Sequence, residues 1–139
     1  MKEPEYRILA EFRQNLRKFL HFSQEAARDA GIEAQQYQMM LAIKGLPADV
    51  RPTIGELAKR MYIQHHSCVG LVDRLAERGL VKRVRDPDDR RRIIVRLTSR
   101  GESTLRKLYK THAAELRRLA PELIETLSEL LASASDAAA

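Results

Sequence analysis

Apolar residues in the first thirty positions, Ile8, Leu9, Phe12, Leu16, Phe19 and Leu20, recur at spacings of three and four and predict one amphipathic helix. Pro4 suits its first turn and Gly31 its end. A second helix is predicted from about Glu33 to Lys44, with Tyr37, Met40, Leu41 and Ile43 mostly inward. Gly45, Pro47 and Pro52 then break the chain, and GLPADVRP reads as a loop. Thr53-Ile54-Gly55-Glu56 has capping-box spacing, the threonine oxygen accepting from the N3 amide while Glu56 reaches back to the cap. It opens a short helix with Ile54, Leu57, Ala58 and Met61 apolar. After a turn around Tyr62 to Gln64, the next helix, residues 65–78, buries Cys68, Leu71, Val72 and Leu75 and stops at Gly79.

From Leu80 the period drops to two. Val81 and Arg83, then Ile93, Val95 and Leu97, alternate with polar or outward residues, and DPDD between the runs is turn chemistry. Residues Val81 to Leu97 therefore read as a β-hairpin with a long charged tip. Thr98 or Ser99 caps a long helix, Ser99 pairing with Glu102 in a second capping box, and Leu105, Leu108, Tyr109, His112, Leu116 and Leu119 mark its stripe. Pro121 opens a last helix or kinks this one, Leu123, Ile124, Leu127, Leu130 and Leu131 giving a final apolar face. SASDAAA reads as a frayed tail. The predicted order is four helices, a hairpin and two helices. The fold class is mainly α with a small β-hairpin, a winged helix-turn-helix flanked by long terminal helices. Without an internal repeat or a Gly/Ser/Pro-rich linker, residues 1–139 read as a single domain.

Charge sharpens this picture. Of a formal net charge of +6, the segment Lys82 to Arg100 carries +5, from eight Lys/Arg and three Asp. Charge focused on one short segment makes a defined electropositive surface for a polyanion, with nucleic acid ahead of an anionic membrane. One cysteine forms no intrachain disulfide, and no stretch is apolar enough to span a bilayer or serve as a signal segment, so a cytoplasmic protein with no membrane partner is expected. There is no phosphate-binding glycine loop, HExxH, CxxC or Gly-x-Ser-x-Gly element, which argues against an enzyme.

Two short helices joined by a tight turn and followed at once by a basic hairpin make a winged helix-turn-helix, whose second helix enters the major groove. With its apolar stripe inward, that helix offers Gln64, His65, His66, Ser67, Val69 and Gly70 near its N-terminus, then Asp73 and Arg74. Gln, His and Ser hydrogen-bond base edges or phosphates, and valine can touch a thymine methyl. At the wing tip, an arginine is slim enough for a narrow minor groove, and Arg90, Arg91 and Arg92 sit where it would enter. Lys82, Arg83, Arg85 and Arg96 would be only a solvated strand face elsewhere; behind a helix-turn-helix, phosphate contact is the better account.

The string RDPDDRRRIIVRLTSRG, preceded by LVDRLAERGLVKR and by QHHS, together with GIEAQQYQMMLAIKGLP, resembles the MarR (multiple antibiotic resistance regulator) family over essentially the whole chain. The resemblance implies that Arg91 inserts in the minor groove with Asp89 bracing it, and that Arg74 helps hold DNA. Arg90 and Arg92 are then expected phosphate contacts. It also implies a homodimer built from helices at 1–32 and 99–139 around a DNA-binding lobe at 33–98, acting as a ligand-responsive repressor on a palindromic operator. The terminal stripes carry more apolar surface than one small winged helix covers. Two-fold symmetry would set the recognition helices about 34–36 Å apart. Glu33 departs from the Ser or Thr cap often found in the family, so the second helix is expected to start weakly.

Several residues have plainer readings. His65 and His66 point about a hundred degrees apart on a helix and lack partners at ligand spacing, so no metal or cofactor is expected. His21 and His112 read as satisfied interface histidines that can meet across packed helices, and Cys68 as a small core residue. Tyr37 and Met40 are packing residues that can also line an effector cavity; phenolic or other aromatic acids are the class the resemblance implies. The competing function is a winged-helix protein-interaction module whose basic wing docks an acidic partner. It needs an apolar recognition face, which Gln64 to Ser67 do not supply.

Overall fold

A computed structural model describes residues 5–138. Its elements are helices α1 (Tyr6–Asp29), α2 (Ala34–Lys44), α3 (Ile54–Met61) and α4 (His65–Glu77), strands β1 (Val81–Arg85) and β2 (Ile93–Leu97), and helix α5 (Ser99–Ala138). Pro4 lies outside the described residues. The chain divides into two compact units: residues 27–109, and the helical segments up to Ala26 and from Lys110.

The unit at 27–109 is built on apolar side chains from α2, α3, α4 and the hairpin. Tyr37, Met39, Met40, Ile43, Leu57, Cys68, Leu71, Val72, Leu75, Val81, Ile94 and Val95 are all buried. Leu41, expected inward, is exposed; Met39 takes the interior position instead. The helices are joined by defined caps. Thr53 Oγ1 accepts from the Glu56 amide at 3.2 Å, but the Glu56 carboxylate turns to Arg60 Nε at 3.0 Å, so only half of the expected box forms. At α2, Gln36 Oε1 accepts from the Glu33 amide at 3.0 Å, and the start of this helix is thereby held without a Ser or Thr cap.

Strands β1 and β2 pair antiparallel, Val81 with Leu97 through Arg85 with Ile93. Pro52 O accepts from Val95 N at 2.9 Å, which ties the loop before α3 to the hairpin. Strict alternation fails on β2: Ile94 and Val95 are both buried and Ile93 is exposed. Helix α2 also packs against this strand, so two consecutive side chains lose their water.

At α5, Thr98 rather than Ser99 is the cap. Its Oγ1 accepts from Gly101 N at 3.0 Å and donates to Gly79 O at 2.6 Å, while Glu102 pairs with Lys44 Nζ at 2.9 Å and leaves the box expected with Ser99 unmade. Gly101 is buried so closely against Leu80 that a Cβ would overlap its carbonyl oxygen. Pro121 does not open a separate last helix: α5 is one 40-residue helix with the proline inside it. A proline removes one backbone bond and crowds the preceding turn, a cost of roughly 3 kcal/mol that a long helix with apolar residues on both sides can absorb. The helix also continues through the segment expected to fray, whose alanines favour it.

In the unit made of the chain ends, Ile8, Asn15, Ser23, His112, Leu119 and Thr126 are buried. His112 Nε2 lies 2.8 Å from Ser23 Oγ, and the imidazole is edge-on to Phe19 and Phe22. His21 does not join it; it is exposed beside Glu25. Of the predicted first stripe only Ile8 is buried outright. Leu9, Leu16 and Leu20 are exposed, as are Leu116, Ile124 and Leu127 on α5.

Candidate nucleic-acid interface

Helix α4 buries Cys68, Leu71, Val72 and Leu75, and this fixes which side chains its other face presents. Gln64, His65, His66 and Ser67 are exposed at its N-terminus, and Val69 and Gly70 are half-buried. Arg74 is exposed, and its guanidinium lies over Gly70, 3.5 Å from where a Cβ would stand. Asp73 is exposed too, but it is engaged: Arg83 Nη2 donates to its carboxylate at 2.6 Å. This pair links α4 to β1. The helix ends as expected, with Gly79 at φ +72 and Leu80 N donating to Leu75 O at 3.0 Å.

The wing is rigid at its base and charged at its tip. The Asp86 carboxylate is 1% exposed; Oδ1 accepts from Asp88 N at 2.9 Å, and Oδ2 faces Arg51 Nε at 3.6 Å and Arg92 Nη1 at 3.9 Å. Arg51 also pairs with Asp88. Asp86 N donates to Arg92 O at 2.9 Å, closing the loop between the strands. At the tip, Asp89 Oδ1 accepts from both the backbone N and Nε of Arg91 at 3.1 Å, and Oδ2 from Nη2 at 3.4 Å. These bonds, the side-chain one first, hold the Asp89 carboxyl below its ordinary range. The Arg91 side chain nevertheless remains 91% exposed.

The remaining wing residues fall around this brace. Arg92 lies 3.8 Å from Asp89, and Arg85 Nη1 donates to Arg90 O at 2.9 Å. Arg90 and Lys82 are exposed, and Lys82 stands directly across from Arg96 in the ladder. Like charges in that position repel each other, so an anion between them would be favoured. Arg51, Asp86 and Asp88 did not stand out in the sequence as site residues. Arg51 lay in the GLPADVRP segment read as a loop, and the two aspartates in the DPDD run read as turn chemistry.

Tyr37 and Met40 are both buried. Burial, with a smaller contribution from Tyr109, raises the Tyr37 phenol above its ordinary value. An open groove of about 380 Å³ lies in the same unit, lined by the apolar Leu41, Leu105 and Tyr109 together with Lys44, its partner Glu102, and Arg106. Cys68 is fully buried with Sγ 3.6 Å from Ile54 O, and burial pushes its thiol up. Among the described residues no group of three or more His, Cys, Asp or Glu is placed to hold a metal ion.

A helix-turn-helix with a polar, exposed recognition face and an arginine-tipped hairpin tied to it defines a winged-helix protein of the DNA-binding class. The profile of the MarR family matches residues 30–92. The uncharacterized HTH-type transcriptional regulator YsmB of Bacillus subtilis (strain 168) is 37% identical over 65 residues, 47% of this chain and 44% of YsmB. The chain spans about half the length of the curated relatives it matches. Among solved structures, AbsC, a MarR family transcriptional regulator from Streptomyces coelicolor, superposes with a TM-score of 0.74 at 23% identity over 99% of this chain and 94% of AbsC. CouR from Rhodococcus jostii RHA1 bound to p-coumaroyl-CoA gives 0.68 at 25% identity over 84% of this chain and 80% of CouR. Residues 30–92 are thus similar to the MarR family, and the fold over nearly the whole chain is that of a solved MarR family structure.

Proposed function

We propose that this protein is a sequence-specific DNA-binding repressor that acts as a homodimer on a palindromic operator and releases it on binding a small aromatic acid. The observation that carries the reading is the wing tip, where Asp89 holds Arg91 on both its backbone and its guanidinium while leaving the side chain extended into solvent. A guanidinium fixed in this way can enter a narrow minor groove. Gln64, His65, His66 and Ser67, with Val69, Gly70 and Arg74, then read the major groove. Lys82, Arg85, Arg90 and Arg92 supply phosphate contacts. Asp73 acts through Arg83, which it orients, rather than on DNA itself.

The dimer rests on the exposed leucines and isoleucine of α1 and α5, which no described part of the chain-end unit covers. The groove at Leu41, Leu105 and Tyr109 is the effector site of this proposal. Its apolar walls suit an aromatic ring and Arg106 suits a carboxylate, Lys44 being already paired with Glu102 on the same wall. The ligand in CouR, a p-coumaroyl thioester, is of a related chemical kind.

Duplexes selected from random DNA test this reading. The selected sites are expected to be palindromic, Arg91→Ala is expected to weaken their binding about tenfold or more, and affinity should fall steeply with salt. Selection that yields no enriched sequence would overturn the proposal. The alternative, a protein-interaction module, finds little support in an α4 face that is polar and exposed from Gln64 to Ser67.

A further inference from the structure

Three described residues adopt positive φ, and each closes a helix: Gly31 after α1, Gly79 after α4, and Tyr62 after α3. All three use the same pair of backbone bonds. At Tyr62 these are its own amide to Lys59 O at 3.2 Å and the Ile63 amide to Ala58 O at 3.0 Å, with φ 55 and ψ 42. Glycine adopts this conformation freely, whereas in tyrosine the Cβ crowds the following carbonyl. The side chain recovers none of that cost within the fold, being 95% exposed. A bulky aromatic in the one position of the turn that glycine would fill more comfortably, with nothing packed against it, points to a contact outside the chain.

Its place in the turn identifies that contact. Tyr62 separates α3, the helix that crosses the DNA backbone in this architecture, from α4, whose first residue, His65, is three positions on. Three residues span at most about 10 Å, so the phenol lies at the rim of the groove that α4 enters. Neighbouring Lys59 and Gln64 are exposed beside it. We propose that Tyr62 is a DNA contact in which the phenolic hydroxyl donates to a backbone phosphate at the mouth of the major groove. The inference rests on the DNA-binding reading above. It adds a neutral anchor to an interface whose other phosphate contacts are cationic.

Because a phosphate contact is independent of sequence, a mixed-sequence duplex of about three helical turns, ~30 base pairs, serves as probe. Tyr62→Gly relieves the backbone and should raise the melting temperature while weakening binding about fivefold to tenfold. Tyr62→Phe should reproduce the loss in binding. Since no charge is removed, the slope of log affinity against log salt should stay that of the parent. Undiminished binding by Tyr62→Gly, with Arg91→Ala still weakened, would overturn this inference and leave the DNA reading standing. Full affinity in Tyr62→Phe, or a slope lowered by about one unit, would equally remove the hydroxyl–phosphate contact. A parent protein that binds no duplex would end both.

Discussion

Asp89 receives the backbone amide and two guanidinium nitrogens of Arg91, so one carboxylate fixes both the loop and the side chain that leaves it. Removing the carboxylate should cost the ordering of one arginine rather than the arginine itself. Asp89→Ala is therefore expected to weaken operator binding about threefold to tenfold, less than Arg91→Ala. Titration of labelled duplex by fluorescence anisotropy measures both, and equal losses in the two variants would mean that Asp89 does more than orient.

The same pair sets a pH expectation. Arg91 depresses the Asp89 pKa in the folded chain, so the stabilisation is complete above the ordinary carboxyl value of about 3.9 and disappears only as pH falls through the depressed one. Whatever pH dependence DNA binding shows between about 5 and 8 should thus be identical in the parent and in Asp89→Asn.

Gly101 offers a reversal of a common rule. Alanine for glycine inside a helix ordinarily stabilises by about 0.5–1 kcal/mol. Here the added methyl meets the Leu80 carbonyl, which is itself held by Thr98 N at 3.1 Å. Gly101→Ala should destabilise by about 1–3 kcal/mol, visible as a melting temperature lower by several degrees.

Arg51 lies in the loop before α3, yet its guanidinium faces the buried carboxylate of Asp86 and the neighbouring Asp88 at the wing base. Asp86 Oδ2 has no hydrogen bond of its own, which leaves Arg51 and Arg92 as its compensation. Arg51→Met is expected to cost about 2–3 kcal/mol in urea unfolding and to weaken DNA binding through a loosened wing. Asp86→Asn in the same chain should recover part of the stability, since the uncompensated charge is then gone.

Cys68 is buried and its thiol is pushed up, so at pH 7–8 it stays protonated and shielded. Labelling by a disulfide reagent should be slow in native protein and become rapid in denaturant. Prompt labelling of the native state would require an opening of α4.

Much of the fold was legible because periodicity reports burial directly. The stripe Cys68, Leu71, Val72, Leu75 and the strands from Val81 and to Leu97 stand where their spacing put them. Alternation failed on β2, where Ile94 and Val95 are both buried and Ile93 is exposed, because a period-two pattern presumes one face dry and the other wet along the whole strand. Charge pairing was the least legible layer. Glu56, Glu102 and Asp73 were each read by local spacing or by type, but Arg60, Lys44 and Arg83 captured them. Arg51 and Asp86 meet only because the chain returns from the hairpin to the loop before α3, and no local pattern announces a contact across that separation. The separate helix expected from Pro121 did not form because the flanking leucines continue a helical face across it.

The single backbone bond from Val95 to Pro52 bears on how this lobe folds. A two-stranded hairpin alone is marginal in water, and β1 and β2 would be expected to zip and unzip freely if the wing were an appendage. Closing the Val95–Pro52 bond instead requires the intervening α3 and α4 to be in place. The wing is then among the last parts to assemble and opens only with the body of the lobe. Native-state hydrogen exchange at the Val95 amide should accordingly be as slow as in the centre of α4.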